Sequence, residues 1–226
     1  MTYKYPSLRT TLPVLGYYAR LDAGAAATDQ FSVDGSQDGT MTNGATRADD
    51  GGLAYSLDGT NDYIDFPVTA CGTSNTVACW VKSSDAGDAI LIGGTVGYGL
   101  YFTSSASGGV LYPSVGGGAF IGVSHGGFSG WTHFAAVRNG TSVTFYKNGV
   151  SLGSGTLSAN TALTLRYVGR EGGGFYYAGL IDDVLIYTTN LDATNIGYLA
   201  SQRGAIYAEI ATTRRRSAQA SIRSTF

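Results

Sequence analysis

Ser56-Leu57-Asp58-Gly59-Thr60-Asn61-Asp62-Tyr63-Ile64-Asp65-Phe66 is the stretch on which the fold turns. Apolar Ile64 and Phe66 alternate with polar neighbours, and Asp58 to Asp62 is a run of turn formers, so the segment reads as a strand, a tight turn and a second strand. Two later stretches have the same character. Trp131-Thr132-His133-Phe134-Ala135-Ala136-Val137-Arg138 runs into Asn139-Gly140, the strongest short hairpin signal. Gly179-Leu180-Ile181-Asp182-Asp183-Val184-Leu185-Ile186-Tyr187 alternates again. Together they predict an all-β, antiparallel sandwich.

The chain has 226 residues, a length that one large all-β unit accommodates. Its 34 glycines are about twice the usual share of ~7% and lie between apolar runs, which marks them as turn residues. Sixteen Tyr and nine Phe supply a core with aromatic surface to spare. The formal charge of −2 is uneven: residues 203–226 carry a net +4 and the remainder −6. The body therefore has no electrostatic pull on nucleic acid, whereas the tail suits an acidic partner. No apolar run approaches the ~20 residues of a membrane span, and residues after Met1 lack the apolar stretch of a secretory signal. Cys71 and Cys79 read as two thiols, a single disulfide being the other reading.

Five segments agree in order and spacing with one known family. They are Leu57 to Ile64, Ala78-Cys79-Trp80-Val81-Lys82, Trp131 to Arg138, Tyr146-Lys147-Asn148-Gly149, and Gly179 to Tyr187. In that order they resemble the laminin-G-like, concanavalin A-like lectin jelly-roll family, over roughly residues 15–199. Leu15-Gly16-Tyr17-Tyr18-Ala19-Arg20-Leu21-Asp22 is similar to the family's first strand, and the Gly- and Asx-rich residues 34–45 to its entry loop. The resemblance implies a two-sheet jelly roll with a short C-terminal helix, capped by Asp192 and running over residues 193–202. It divides the chain into an N-terminal arm (1–13), a sandwich (14–202) and a basic C-terminal arm (203–226). Trp80 and Trp131 are expected in the core.

Catalytic signatures are weak. Gly122-Val123-Ser124-His125-Gly126 and Gly149-Val150-Ser151-Leu152-Gly153 fit the lipase-type serine pattern, but neither Ser precedes a helical segment. Glycosidases of this broad fold use paired carboxylates, yet Glu171 and Glu209 are the only glutamates, and Asp182 and Asp183, adjacent on a strand, are expected on opposite faces. No catalytic residue is assigned. His133, in step with Trp131 and Ala135, reads as a packed, hydrogen-bonded histidine.

Three binding readings remain. Asp58, Asn61 and Asp62 crowd oxygens into one turn, and relatives of this fold bind calcium there with help from a second loop, which here holds Glu171; an Asx turn without metal is the other reading. Tyr98, Phe175, Tyr176 and Tyr177, in Gly-rich turns, are candidate platforms for sugar rings, with burial as their alternative. Arg203, Arg214, Arg215, Arg216 and Arg223 form a candidate arm for a neighbouring subunit.

By resemblance the protein is a non-enzymatic recognition domain needing no cofactor beyond a calcium ion if one binds. The first expectation is a structural subunit on the outside of a virion, a phage decoration or tail-associated protein, because the chain starts with its own Met, shows no export signal and carries an arm at each end. The alternative is a cellular carbohydrate-binding or adhesion module. Either places it on a virion surface or outside the cell.

Overall fold

A computed structural model describes residues 15–17, 26–27, 38–50, 53–83, 89–95, 98–102, 110–112, 123–127, 129–201 and 203. Among them the strands, in chain order, are β1 (Leu15–Tyr17), β2 (Ala26–Ala27), β3 (Gly39–Thr42), β4 (Thr46–Asp49), β5 (Leu53–Asp58), β6 (Tyr63–Gly72), β7 (Ser74–Ser83) and β8 (Ala89–Gly93). There follow β9 (Tyr98–Phe102), β10 (Val110–Tyr112), β11 (Val123–Ser124), β12 (Thr132–Asn139), β13 (Ser142–Lys147), β14 (Val150–Thr156), β15 (Leu163–Val168), β16 (Ala178–Tyr187) and the helix α1 (Ala193–Leu199). Chain arms outside these ranges, with Arg214, Arg215, Arg216 and Arg223, lie outside the described residues.

The strands build two antiparallel eight-stranded sheets. The first runs β14-β13-β12-β7-β16-β5-β4, and β1 pairs with the part of β16 that β5 leaves uncovered. The second runs β11-β10-β9-β8-β15-β6-β3-β2. This is the expected two-sheet sandwich. Between the sheets Tyr55, Val77, Phe134 and Phe145 of the first meet Ile64, Phe66, Leu91 and Leu165 of the second.

Burial differs between the sheets in a way the sequence pattern explains. β7 and β12 are buried on nearly every residue, because their inner faces pack on the second sheet while their outer faces carry Ala78, Ala135 and Val137 beneath Ile196 and Leu199. β6 alternates, with Ile64 and Phe66 inward and Tyr63 and Asp65 half-exposed. The helix starts where expected: Asp192 Oδ1 accepts the Asn195 amide at 2.8 Å. It ends three residues sooner than expected, where the Trp80 indole N–H donates to Leu199 O at 3.3 Å and pins the last turn to the sheet.

Two expectations need correction. Trp80 is buried, but Trp131 is half-exposed: it stands one residue before β12, on the outer rim. Asp182 and Asp183 do not simply alternate across the sheet. A bulge between Asp182 and Leu185, with Asp183 at φ +46°, leaves both carboxylates buried while Ile181 and Val184 both reach the inter-sheet core. Arg203, a candidate for contact with a neighbouring subunit, lies against its own sandwich. Its guanidinium lies 3.8 Å from the Trp131 ring centroid, donates to Asp50 O and stands 4.0 Å from Asp182 Oδ2. The rim of the first sheet offers this cation a ring, the Asp50 carbonyl and the buried Asp182 carboxylate. Cys71 and Cys79 are free and buried, and burial pushes the Cys71 thiol up to about 12.

Candidate functional site

The outer face of the second sheet gathers aromatic and cationic side chains from two neighbouring strands and the loop behind them. In β15 the residues Leu163, Leu165 and Val168 face the core, and the ladder to β6 shifts register between Leu165 and Tyr167. That bulge puts both Arg166 and Tyr167 on the outside, where regular alternation would have buried one. Tyr63 and Asp65 of β6 stand beside them. Arg166 makes a two-pronged ion pair with Asp65, at 2.8 and 2.9 Å, and lies over the Tyr167 ring.

Residues 169–177 connect β15 to β16 and are pressed onto β8. Gly169 N donates to Leu91 O, Gly172 N to Gly94 O, Ile90 N to Phe175 O, and Tyr177 N to Gly169 O. Contact is close enough that a Cβ at Gly93 would strike the Arg170 carbonyl, and one at Gly169 (φ +86°) the Leu57 side chain. The fixed loop aims Arg170 over the sheet. Its Nε and one terminal nitrogen donate to Glu171 O (2.8 Å) and Gly172 O (3.0 Å). The guanidinium then sits amid three rings: Tyr63 at 4.7 Å, Tyr167 at 5.0 Å and Tyr176 at 5.0 Å. Tyr63 and Tyr167 meet edge to face at 5.7 Å. None of the three phenol hydroxyls has a hydrogen-bond partner among the described residues.

Of the expected sugar platforms, Tyr176 belongs to this cluster. Phe175 stands beside it in the chain, 49% exposed and at φ +55°, a costly conformation for a bulky residue. Tyr177 is no platform. It is fully buried, and its hydroxyl donates to Leu180 O. Tyr98 lies on β9 and its side chain falls outside the described residues. Sequence reasoning missed Tyr63, Tyr167, Arg166 and Arg170. A signal was present: two consecutive outward-type residues, Arg166-Tyr167, interrupt an alternating strand.

The turn proposed for calcium is closed by its own amides. Asp58 Oδ1 accepts from Thr60 N (2.7 Å) and Asn61 N (3.3 Å), and these bonds, the Thr60 amide first, hold its carboxyl below the usual range. Asp62 accepts from Gly44 N and Asp58 N, and Asn61 O from the Asn43 amide. Glu171 turns Oε1 back to Gly173 N at 2.7 Å. Among the described residues no three of His, Cys, Asp and Glu gather into a metal-holding group, so Glu171 is not brought to Asp58 and Asp62.

A concavity of about 440 Å³ opens on the rim of the first sheet beside Trp131 and is lined by Ser129, Thr132, Lys147 and Asn148. Lys147 Nζ donates there to His125 O and Gly127 O. Ser124 and Ser151 lie exposed on strands, not on strand-to-helix turns. Among the described residues no helix is long and apolar enough to cross a membrane.

A two-sheet antiparallel sandwich with an aromatic outer face is a lectin-like architecture. The chain belongs to the concanavalin A-like lectin/glucanases superfamily, whose family pattern matches residues 58–197. Among solved structures it is similar to domain 4 of an extracellular arabinanase from Geobacillus stearothermophilus, solved with arabinotriose. The identity is 21%, the TM-score 0.62, and the match covers 84% of this chain and 99% of that one. It is similar also to a botulinum neurotoxin type C structure concerned with two ganglioside molecules, at 11% identity and TM-score 0.63, over 85% of this chain and 51% of the other. A heptameric pentraxin from Limulus polyphemus is a third, at 17% identity and TM-score 0.54, over 65% and 80%. At these identities the likeness is one of fold. No curated protein sequence matches the chain.

Proposed function

We propose that this protein is a non-catalytic recognition module that binds saccharide on the outer face of its second sheet. The observation that carries this reading is the set of half-exposed tyrosines, Tyr63, Tyr167 and Tyr176, whose hydroxyls have no partner among the described residues and whose rings are fixed around one guanidinium. Ring faces and edges supply apolar contact to a pyranose, and unpartnered hydroxyls supply the few polar groups that orient it. The sugar-bound arabinanase domain and the ganglioside-dependent toxin lend support as proteins of the same fold. The absence of catalysis is supported by the burial of Asp182 and Asp183 and by the strand setting of Ser124 and Ser151.

Titration of the full chain against a panel of neutral and charged oligosaccharides tests the reading. Binding lost in Tyr167→Ala and Tyr176→Ala, with unchanged melting temperature, is the expected result. Retention of every sugar by both variants would overturn it.

The other expected role, a subunit on a virion exterior, is favoured by one contact. Arg203, the first residue of the expected C-terminal arm, is anchored on the first sheet, on the side opposite the tyrosines. Such a subunit would keep the sugar face outward while the arm meets a neighbour. Truncation after Gln202 is expected to leave the sandwich folded and abolish attachment to particles; attachment of the truncated chain at unchanged affinity would exclude the arm as anchor.

A further inference from the structure

Among the described residues ion pairing on the tyrosine face is incomplete, and the unpaired cation points to the class of sugar. Arg166 is neutralised by Asp65 through two short bonds. Glu171, next in sequence to Arg170, directs a carboxylate oxygen to its own loop, at Gly173 N. Arg170 makes no ion pair among the described residues; its partners are two backbone carbonyls and three aromatic rings. Rings attract a cation through their quadrupoles but leave its net charge in place. Two of its three guanidinium nitrogens donate to those carbonyls, and the third has no acceptor among the described residues, without being sealed from solvent.

This differs from an arginine that merely braces a fold. Arg203 has its ring too, but with Asp182 4.0 Å away and only 13% of its side chain exposed. A guanidinium with no ion-pair partner among the described residues, held in a half-exposed aromatic setting, is pre-organised to meet an anion, and a planar carboxylate is the group it meets best. The neighbouring hydroxyls of Tyr63, Tyr167 and Tyr176 suit the remaining hydroxyls of a sugar ring.

We infer that the site selects carboxylated saccharides, uronate- or sialate-bearing glycans, with Arg170 as the residue that reads the carboxylate. The inference rests on the saccharide reading above and narrows it.

The experiment uses the full chain and carboxylated oligosaccharides (oligogalacturonate, hyaluronan fragments, sialyllactose), each paired with its methyl ester. Esterification removes the charge and keeps the ring. The expected result is that at least one acid binds about tenfold or more tightly than its ester, the worth of one charge-assisted bond. Binding of the acid should weaken as NaCl rises from about 0.05 to about 0.5 M. Arg170→Gln should bring acid and ester to equal affinity, and Arg170→Lys should restore part of the difference.

Equal affinity for acid and ester in the unmodified protein overturns the inference and leaves the saccharide reading standing. No binding to any acid, ester or neutral sugar overturns both. A thymidine oligonucleotide bound as tightly as the acids would show that the site takes polyanions at large, which also overturns it. Because the ester comparison is made on the unmodified protein, it holds even if Arg170→Gln fails to fold.

Discussion

On the first sheet the outer face carries Ala78, Ala135, Val137 and Leu185 beneath Ile196 and Leu199 of the helix, with Arg203 folded over Trp131 at the rim. On the second sheet the corresponding face carries Tyr63, Asp65, Arg166 and Tyr167, none of them covered by a helix among the described residues. Each face has an arginine stacked on aromatic rings, Arg203 on the first and Arg170 on the second, but of these two only Arg203 has a carboxylate in ion-pair range among the described residues and is largely closed to water. Similar contacts thus serve different ends. Where neighbours seal and neutralise the stack it holds the chain together; where they leave charge and hydroxyls unmatched it can hold something else.

The largest test of that contrast is a pair of truncations. Trp80→Ala removes a buried ring and the indole bond to Leu199 O, and is expected to cost about 3–5 kcal/mol in denaturant unfolding. Tyr167→Ala, on the half-exposed face, is expected to change stability by less than about 1 kcal/mol while removing sugar binding. A Tyr167→Ala loss as large as that of Trp80→Ala would make the tyrosine face a structural element like the other.

Acid should act mainly on the first face. His133 is buried against Trp80, their rings 5.5 Å apart, and its Nδ1 has no hydrogen-bond partner among the described residues, so the expected hydrogen-bonded side chain is only packed there. Burial holds its pKa down to about 3, from an ordinary 6.5. The unfolded chain therefore takes up the proton first as pH falls through 6.5, and stability is lost progressively from there toward pH 3. Between pH 7 and 4.5 the loss is about 2–3 kcal/mol, and His133→Phe should lack it. Parallel pH profiles for the two proteins, measured by urea unfolding, would show that His133 is not the group responsible.

Much of this was legible in the sequence. Alternation in residues 63–66 and 131–138, Asn-Gly turns and five ordered segments identify the sandwich, and Asp192 is recognisable as a helix cap. Register was not legible, and register decides the site. The bulges at Arg166 and at Asp183 depend on which strand lies alongside, and each moves a side chain across the sheet: Tyr167 out to the platform, Val184 in to the core. Tyr177 failed as a platform for a related reason. Its loop is tied to Gly169 so that its ring enters the core, which no local pattern announces.

A smaller effect is expected at Arg203. Its stack on Trp131 and its bond to Asp50 O are worth about 1–2 kcal/mol together. Arg203→Ala should lower the urea midpoint by that amount and shift Trp131 emission to longer wavelength, leaving sugar affinity unchanged because the platform is on the other sheet. Coupled loss of sugar binding would mean that the two outer faces communicate.

The smallest expected effect is at the turn that joins the faces, where β5 of the first sheet passes to β6 of the second. Calcium requires six to eight oxygens, several of them charged. Here Asp58 Oδ1 already accepts two amides, Asp62 accepts one on each oxygen, and Asn61 O accepts the Asn43 amide. Those N–H groups present partial positive charge where a cation would have to sit, and Glu171 is committed to Gly173 N. The turn is thus complete as a hydrogen-bonded device. We expect the same melting temperature in chelator and in millimolar calcium. An ion held by Asp58, Asn61 and Asp62 would instead stabilise the fold by about 2.7 kcal/mol at a hundredfold excess over its dissociation constant, a shift of several degrees that calorimetry resolves. That shift, abolished by Asp58→Asn, would make the turn a metal site and tie both sheets to one ion.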